Sequence, residues 1–345
     1  MHAAVRHAAA DAAALYGIGP RSSPVGLGYT VLHQELESRL ATLKGTEECL
    51  LFATGFAANL AVMSALGSSE DAAIFSDELN HASIGQLHIY KHNDMRHLEE
   101  LLQTCPSSHR KLVVADSVFS MDGDIADFEG LTRLRRRYGF LLAIDEAHGT
   151  LVCGSRGGGA AEAFGVGEEV DLHIGTLSKA VGAHGGFVAC QADLKSLLIN
   201  KGRSYIFSTA LPAPVVAAAI AALQVNEQEP DRREHLWRLV RRLGEGLGVE
   251  ACSPIVPLIV GSEAAAVAAS AALLERGFYV PAIRPPAVAP GSSRLRITLS
   301  AAHTVEDVDD LLAALKDCGV IPMRGLHAAI ASGSAVQNVV FLAKL

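Results

Sequence analysis

Short runs of consecutive apolar residues alternate along most of the chain with segments whose apolar positions recur every three to four residues. The runs Cys49–Phe52, Ala72–Phe75, Leu112–Ala115, Phe140–Ile144, Leu172–Ile174 and Gly186–Cys190 contain no Asp, Glu, Lys or Arg. Runs of that length without alternation predict strands buried on both faces. Between them, His33–Lys44 sets Leu36, Leu40 and Leu43 on one helical face and stops at Gly45. An Ala-rich helix is predicted after Thr54-Gly55-Phe56, and another helix over Leu131–Tyr138. Strand and helix in alternation predict an α/β fold with a mostly parallel sheet.

Beyond Glu227 the pattern changes. Glu227–Arg242 is charge-rich, holds the only Trp (Trp237), and predicts a long exposed connecting helix. Pro257–Val260, Phe278–Ile283 and Arg294–Leu299 predict strands, with helices near Ala264–Arg276 and Val305–Lys316. The expected layout is a remnant N-terminal segment over 1–30 and a large domain over 31–228. A connecting helix and smaller C-terminal α+β domain follow over 229–322, then a tail over 323–345.

Composition narrows the function. Half of the 345 residues are apolar and 19% are charged, enough for a large core. Lys and Arg number 29 against 37 Asp and Glu, a net charge of −8, and no basic block stands out, so nucleic acid is excluded as a partner. Six cysteines are scattered without a C-x-x-C pair, which predicts a reducing compartment rather than disulfides or zinc. The apolar stretch Val215–Leu223 is too short for a membrane span. The N-terminal stretch is broken by Asp11 and lacks the apolar core of a signal peptide.

Candidate chemistry clusters at strand ends. Asp145 follows the strand Phe140–Ile144, where ligands of open α/β sheets gather; alone, it reads more readily as a turn cap. Asp145 with His148 is thin as a metal pair, having no second His or Cys set nearby, and no metal is expected. Lys179, among small residues after the Leu172–Ile174 strand, suits a desolvated amine of lowered pKa, though most such lysines are surface groups. Thr54-Gly55-Phe56 opens a helix whose free N–H groups suit a phosphate, although many such helices hold nothing. His81 is a loop histidine whose plainer role is structural hydrogen bonding. Phosphate loop, His, Asp and Lys in this order fit one cofactor, pyridoxal 5'-phosphate.

The chain resembles the α-oxoamine synthases, fold-type I pyridoxal-phosphate enzymes. The matching runs are Leu51–Asn59, Val118–Asp124, Ile144–Thr150, Gly175–Ala180 and Ile206–Thr209. Ala282-Ile283-Arg284-Pro285-Pro286 with Arg294–His303 resembles the members that condense L-alanine with pimeloyl-CoA in biotin biosynthesis, in a plant-like peroxisomal form. The resemblance covers roughly residues 15–320. It implies an aspartate-aminotransferase-like fold: a large domain with a mostly parallel seven-stranded sheet, and a smaller C-terminal α+β domain. It implies that Lys179 carries the cofactor Schiff base and moves the Cα proton. Asp145 would pair with the pyridine nitrogen, and His81 would stack on the ring. His148 and Ser120 would bond around the ring oxygen. Gly55, Phe56 and Thr176 would hold the phosphate. Ser208 and Thr209 would reach a phosphate across a homodimer interface, and Arg284 would bind the substrate carboxylate.

Three features depart from the family. The family carries an earlier N-terminal arm with an Asn-Asp-Tyr-Leu-Gly-like segment, and this chain begins after it. The stretch from His81 to His92 is shorter by roughly two turns of 3.6 residues. Ser22-Ser23-Pro24 replaces a Gly-Ser-Arg-like run. A sibling reaction using glycine or serine with another acyl-CoA, or a truncated non-catalytic dimer partner, are the alternatives. The ending Ala343-Lys344-Leu345 resembles the Ser-Lys-Leu peroxisomal signal, so the peroxisome is expected, with the cytosol as the alternative.

Overall fold

A computed structural model describes residues 2–84 and 88–321 of the chain. The described residues divide into two compact units, one within 2–119 and 125–230, the other of residues 120–124 and 231–321.

The first unit is built on seven strands: β1 (Glu48–Phe52), β2 (Ala72–Asp77), β3 (His88–Tyr90), β4 (Arg110–Asp116), β5 (Leu141–Asp145), β6 (Leu172–Thr176) and β7 (Gly186–Cys190). Their order is β1-β7-β6-β5-β4-β2-β3. Strand β7 is antiparallel to β1 and β6, and the other pairs are parallel. Side chains alternate between the two faces with period two. Leu51 and Phe187 join a core on one side, while Phe52, Val188 and Ile174 join a second core on the other. This two-sided burial is why the strands read as unbroken apolar runs.

Helices cover both faces. On the first core lie α1 (Ala3–Tyr16), α2 (Val31–Lys44) and α9 (Ala213–Gln228); on the second lie α3 (Gly55–Gly67), α7 (Ala192–Lys201) and the one-turn α8 (Arg203–Ile206). The remaining helices of this unit are α4 (Met95–Thr104), α5 (Phe128–Tyr138) and α6 (Ala160–Ala163). Helix α2 ends where Gly45 adopts the left-handed conformation, as the sequence suggests. The segment expected to be a remnant instead supplies α1, whose Val5 and Ala12 are buried, with Val5 in the core shared with α9. Alanines on α9 allow that close approach.

The second unit contains α10 (Asp231–Leu247), α11 (Glu263–Glu275) and α12 (Val305–Asp317). Its three strands, β8 (Ile255–Gly261), β9 (Ala282–Ile283) and β10 (Ser293–Thr298), form an antiparallel sheet in the order β8-β10-β9. The single connecting helix predicted from 227 is two helices, interrupted at Glu229 and Pro230, where proline cannot supply an N–H to the preceding turn. The strand predicted over Phe278–Ile283 pairs only at Ala282–Ile283, because Pro281 before it carries no donor.

Residues 120–124 belong to this second unit although they lie far upstream. Arg296 Nε donates to Ser120 O (2.6 Å), Ser253 Oγ donates to Gly123 O (2.7 Å), and Arg294 pairs with Asp122. Gly123 has φ of +70°, and a Cβ there would lie 2.0 Å from Ile255 O, so only glycine fits. Among the described residues, no helix is long and apolar enough to cross a membrane, and no group of three His, Cys, Asp or Glu is arranged to hold a metal ion.

Candidate active site

The polar ends that cap the apolar strands come together. β4 and β5 are parallel and in register, with Asp116 opposite Asp145. Both are buried, and Ser117 N donates to Asp145 O at 2.8 Å. Asp145 Oδ1 accepts from Ala147 N (2.8 Å), which fixes one side of the carboxylate locally. Its Oδ2 accepts from Asn59 Nδ2 at 2.7 Å. Asn59 is one turn beyond Gly55 on α3, so the helix that begins at the glycine turn also presents the amide to Asp145.

The α3 N-terminus is set by close packing. Thr54 caps it, its hydroxyl accepting from Ala57 N at 3.0 Å. A Cβ on Gly186 of β7 would lie 2.3 Å from Thr54 O and 2.6 Å from Gly55 N, so the glycine lets the strand lie directly under the helix start. Thr176, the last residue of β6, reaches the same place: a Cβ on Gly55 would be 3.2 Å from its Cβ. Gly55, Phe56 and Thr176 therefore meet at one helix N-terminus, where unpaired N–H groups and the helix dipole favour an anion.

Three residues past Thr176, the Lys179 Nζ lies 2.9 Å from His148 Nε2. The desolvated lysine expected from the sequence is not found: Lys179 is exposed, because it lies in the loop beyond β6 rather than in the sheet. His81 begins the short turn Ala82–Ile84. Its ring is joined to the acid side by a relay in which Asn59 Nδ2 donates to Ser83 Oγ (3.0 Å), and Ser83 Oγ lies 2.7 Å from His81 Nδ1. Ser83 N also donates to Nδ1 (3.2 Å), so the ring proton belongs on Nε2. The His81 backbone N–H donates to Asp116 Oδ1 at 3.4 Å.

Other candidates lie elsewhere in the chain. Ser208 and Thr209 line a small cavity with Tyr29, His33 and Glu37. That loop is tied down where Ala210 N donates to Ser22 O (3.0 Å) and His33 Nε2 meets Leu211 O (2.9 Å). His33 is buried, and its pKa is lowered by loss of solvent, so it stays neutral and donates through Nε2. Ser120 and Arg284 belong to the second unit, and Arg284 is exposed there.

Several functional candidates escape the sequence reading. Asn59 and Ser83 are polar residues within otherwise unremarkable runs. Asp116 ends a strand as Asp145 does, and applying the same strand-end argument to β4 identifies it. Arg296 is half-buried, donates from Nε to Ser120 O, and pairs with no carboxylate among the described residues; burial lowers its pKa. A buried guanidinium in that state suits an anionic ligand.

The chain belongs to the aminotransferase class I and II family, whose model matches residues 3–315. It has the fold-type I architecture of these pyridoxal-phosphate transferases, and within them it is an α-oxoamine synthase. It is 51% identical to the 8-amino-7-oxononanoate synthase of Arabidopsis thaliana, an alignment spanning 92% of this chain and 72% of that protein. Among solved structures it resembles a Sphingomonas wittichii serine palmitoyltransferase, with a TM-score of 0.89 and 36% identity over 93% of this chain and 86% of the other. A serine palmitoyltransferase from S. paucimobilis, solved with bound PLP-myriocin, gives 0.88 and 33% over 93% and 85%.

The cofactor of this family is pyridoxal phosphate, and the residues present fit it. A primary amine, a buried acid and a tightly packed helix N-terminus occupy neighbouring strand ends of one sheet. Next to the acid, the buried Asn59 Oδ1 and Ser117 Oγ have no hydrogen-bond partner among the described residues. Orphaned buried polar atoms mark places where a ligand completes the hydrogen bonding.

Proposed function

We propose that the chain condenses L-alanine with pimeloyl-CoA to 8-amino-7-oxononanoate, releasing CoA and carbon dioxide. The observation that carries this is the convergence of Lys179, Asp145 and the α3 N-terminus, in a chain half identical to a synthase of that name. Bound pyridoxal phosphate supplies an electron sink for negative charge at the amino-acid Cα.

This chain's residues do the rest. Gly55, Phe56 and Thr176 bind the phosphate. Asp145, held by Asn59 and Ala147, keeps a proton on the ring nitrogen, so the ring accepts electrons. The imidazole of His81 would cover the ring and exclude water. His148 and Ser120 orient the ring oxygen. Lys179 would hold the cofactor through its amine and would serve as the base that moves the Cα proton. Its neighbour His148, 2.9 Å away, would hold the amine in place. Arg284 takes the substrate carboxylate. In the net reaction a Cα–C bond forms to the thioester carbonyl and the C–S bond breaks. The carboxyl group leaves as carbon dioxide, and Cα regains a proton.

A homodimer follows from the same reading, with Ser208 and Thr209 reaching the neighbouring subunit's phosphate. Phe207 and Leu27, 71% and 91% exposed, would be covered there. Light scattering should give twice 36.2 kDa. We also propose a peroxisomal address, on Ala343-Lys344-Leu345, which lie outside the described residues. A fluorescent protein carrying the last ten residues should become punctate, and a diffuse signal removes the argument.

The serine palmitoyltransferase likeness favours a sibling reaction as the second reading. Titrating the cofactor-loaded chain with L-alanine, glycine and L-serine separates the two. The largest change in the visible band should come with L-alanine; a larger response to serine or glycine selects the sibling. No cofactor band at all identifies a non-catalytic chain.

A further inference from the structure

Asp116 and Asp145 are neighbours in register on adjacent parallel strands, which lie about 4.8 Å apart, and both are buried. They are not equally served. Asp145 receives two short donors, from Asn59 Nδ2 at 2.7 Å and Ala147 N at 2.8 Å. Asp116 receives one long donor, the His81 backbone N–H at 3.4 Å, and forms no ion pair among the described residues. Two buried carboxylates this close cannot both ionise cheaply, and the proton goes to the one with fewer donors.

We propose that Asp116 is a positioning residue of the site, a carboxylic acid that keeps its proton at neutral pH and so adds no negative charge of its own beside Asp145, where the cofactor's ring nitrogen would sit. The part that concerns the cofactor rests on the function proposed above; the protonation state does not. The groups around Asp116 support the assignment. Burial and Asp145 push its carboxyl well above the usual range, and Asp77 of β2 adds to this. Only the His81 N–H and the Lys179 amine oppose it. Lys179 is exposed and engaged with His148, so solvent weakens its influence. The Tyr90 phenol of β3, also buried, is held neutral by its own burial and adds no charge beside Asp116.

A neutral Asp116 has a physical consequence. An ionised neighbour would draw the ring-nitrogen proton toward itself and weaken the pairing that Asp145 provides. A neutral acid leaves that pairing undivided and still accepts the N–H that holds the His81 turn.

The test is carbonyl-13C NMR on the full chain labelled at aspartate Cγ, without cofactor. One aspartate signal should remain at its protonated position at pH 7 and vanish in Asp116→Asn. In Asp145→Asn, which removes the neighbouring charge, that signal should titrate at a lower pH, giving an assignment even if Asp116→Asn folds poorly. With cofactor, Asp116→Ala should bind pyridoxal phosphate about tenfold more weakly, and Asp116→Asn, isosteric with the neutral acid, should recover to within about threefold. An absent protonated signal at pH 7, or one that survives in Asp116→Asn, overturns the protonation state. A normal Asp116 signal in a chain that binds no cofactor would instead overturn the proposed function alone.

Discussion

At the end of β5, Asp145 is buried, accepts from two elements at 2.8 Å or less, and lies in register with the strand beside it. At the loop that leaves β2, His81 is exposed, and its ring is held by Ser83, two residues away. Both belong to the same site, but they are positioned by different physics. Asp145 is fixed by the sheet: moving it means breaking a ladder and exposing a core strand. His81 is fixed by a single turn and a relay through Ser83 and Asn59. The acid side should therefore tolerate solvent and temperature changes that the His81 side does not.

The largest expected effect is at Lys179, the proposed covalent anchor. Lys179→Ala should lower CoA release by on the order of 10³-fold or more, since the proposed chemistry needs a primary amine at this position. Next, Asp145→Ala should cost about 10²-fold in kcat/KM, whereas His81→Ala should cost about tenfold. Equal losses at the two positions would break the comparison. Ser83→Ala cuts the relay without touching either end and should cost only about two- to threefold, read in the same assay.

Stability tests the sheet side separately. His173 of β6 pairs in register with Ile144, is buried, and has its pKa pushed down to about 4 by burial and by the Lys44 charge. Its Nδ1 has no partner among the described residues. The ordinary histidine value is about 6.5, so above that pH neither folded nor unfolded chain takes the proton. As pH falls from about 6.5 to about 4, the unfolded chain binds it and the folded one does not, and stability is lost by on the order of 3 kcal/mol. Thermal melts at pH 7.5 and 5 should show the first part of this drop, about 2 kcal/mol, and His173→Asn should flatten it whatever its effect at pH 7.5.

Much of this was legible in the sequence because double-sided burial writes itself as apolar runs. Six strands of the large sheet are found that way, and Asp145 follows as the acid just past one of them. The reading fails where that signal is absent. β3 has three residues, two of them exposed, so it shows no run. Ending the β4 run at Ala115 discards Asp116, which is still in the ladder. The 120–124 excursion is set by contacts to Ser253 and Arg296, more than a hundred residues away, and no local pattern reports it. Lys179 is exposed because a loop, and not a strand, presents it, a distinction that neighbouring small residues do not encode.

The central claim is that these strand ends perform a decarboxylative condensation of an amino acid with an acyl-CoA. It is tested most directly by incubating the pyridoxal-phosphate-loaded chain with L-alanine and pimeloyl-CoA and quantifying CoA, carbon dioxide and the amino-ketone product together. The account predicts that all three appear in equal amounts and that Lys179→Ala yields none. CoA release without carbon dioxide, or release that persists in Lys179→Ala, would contradict it.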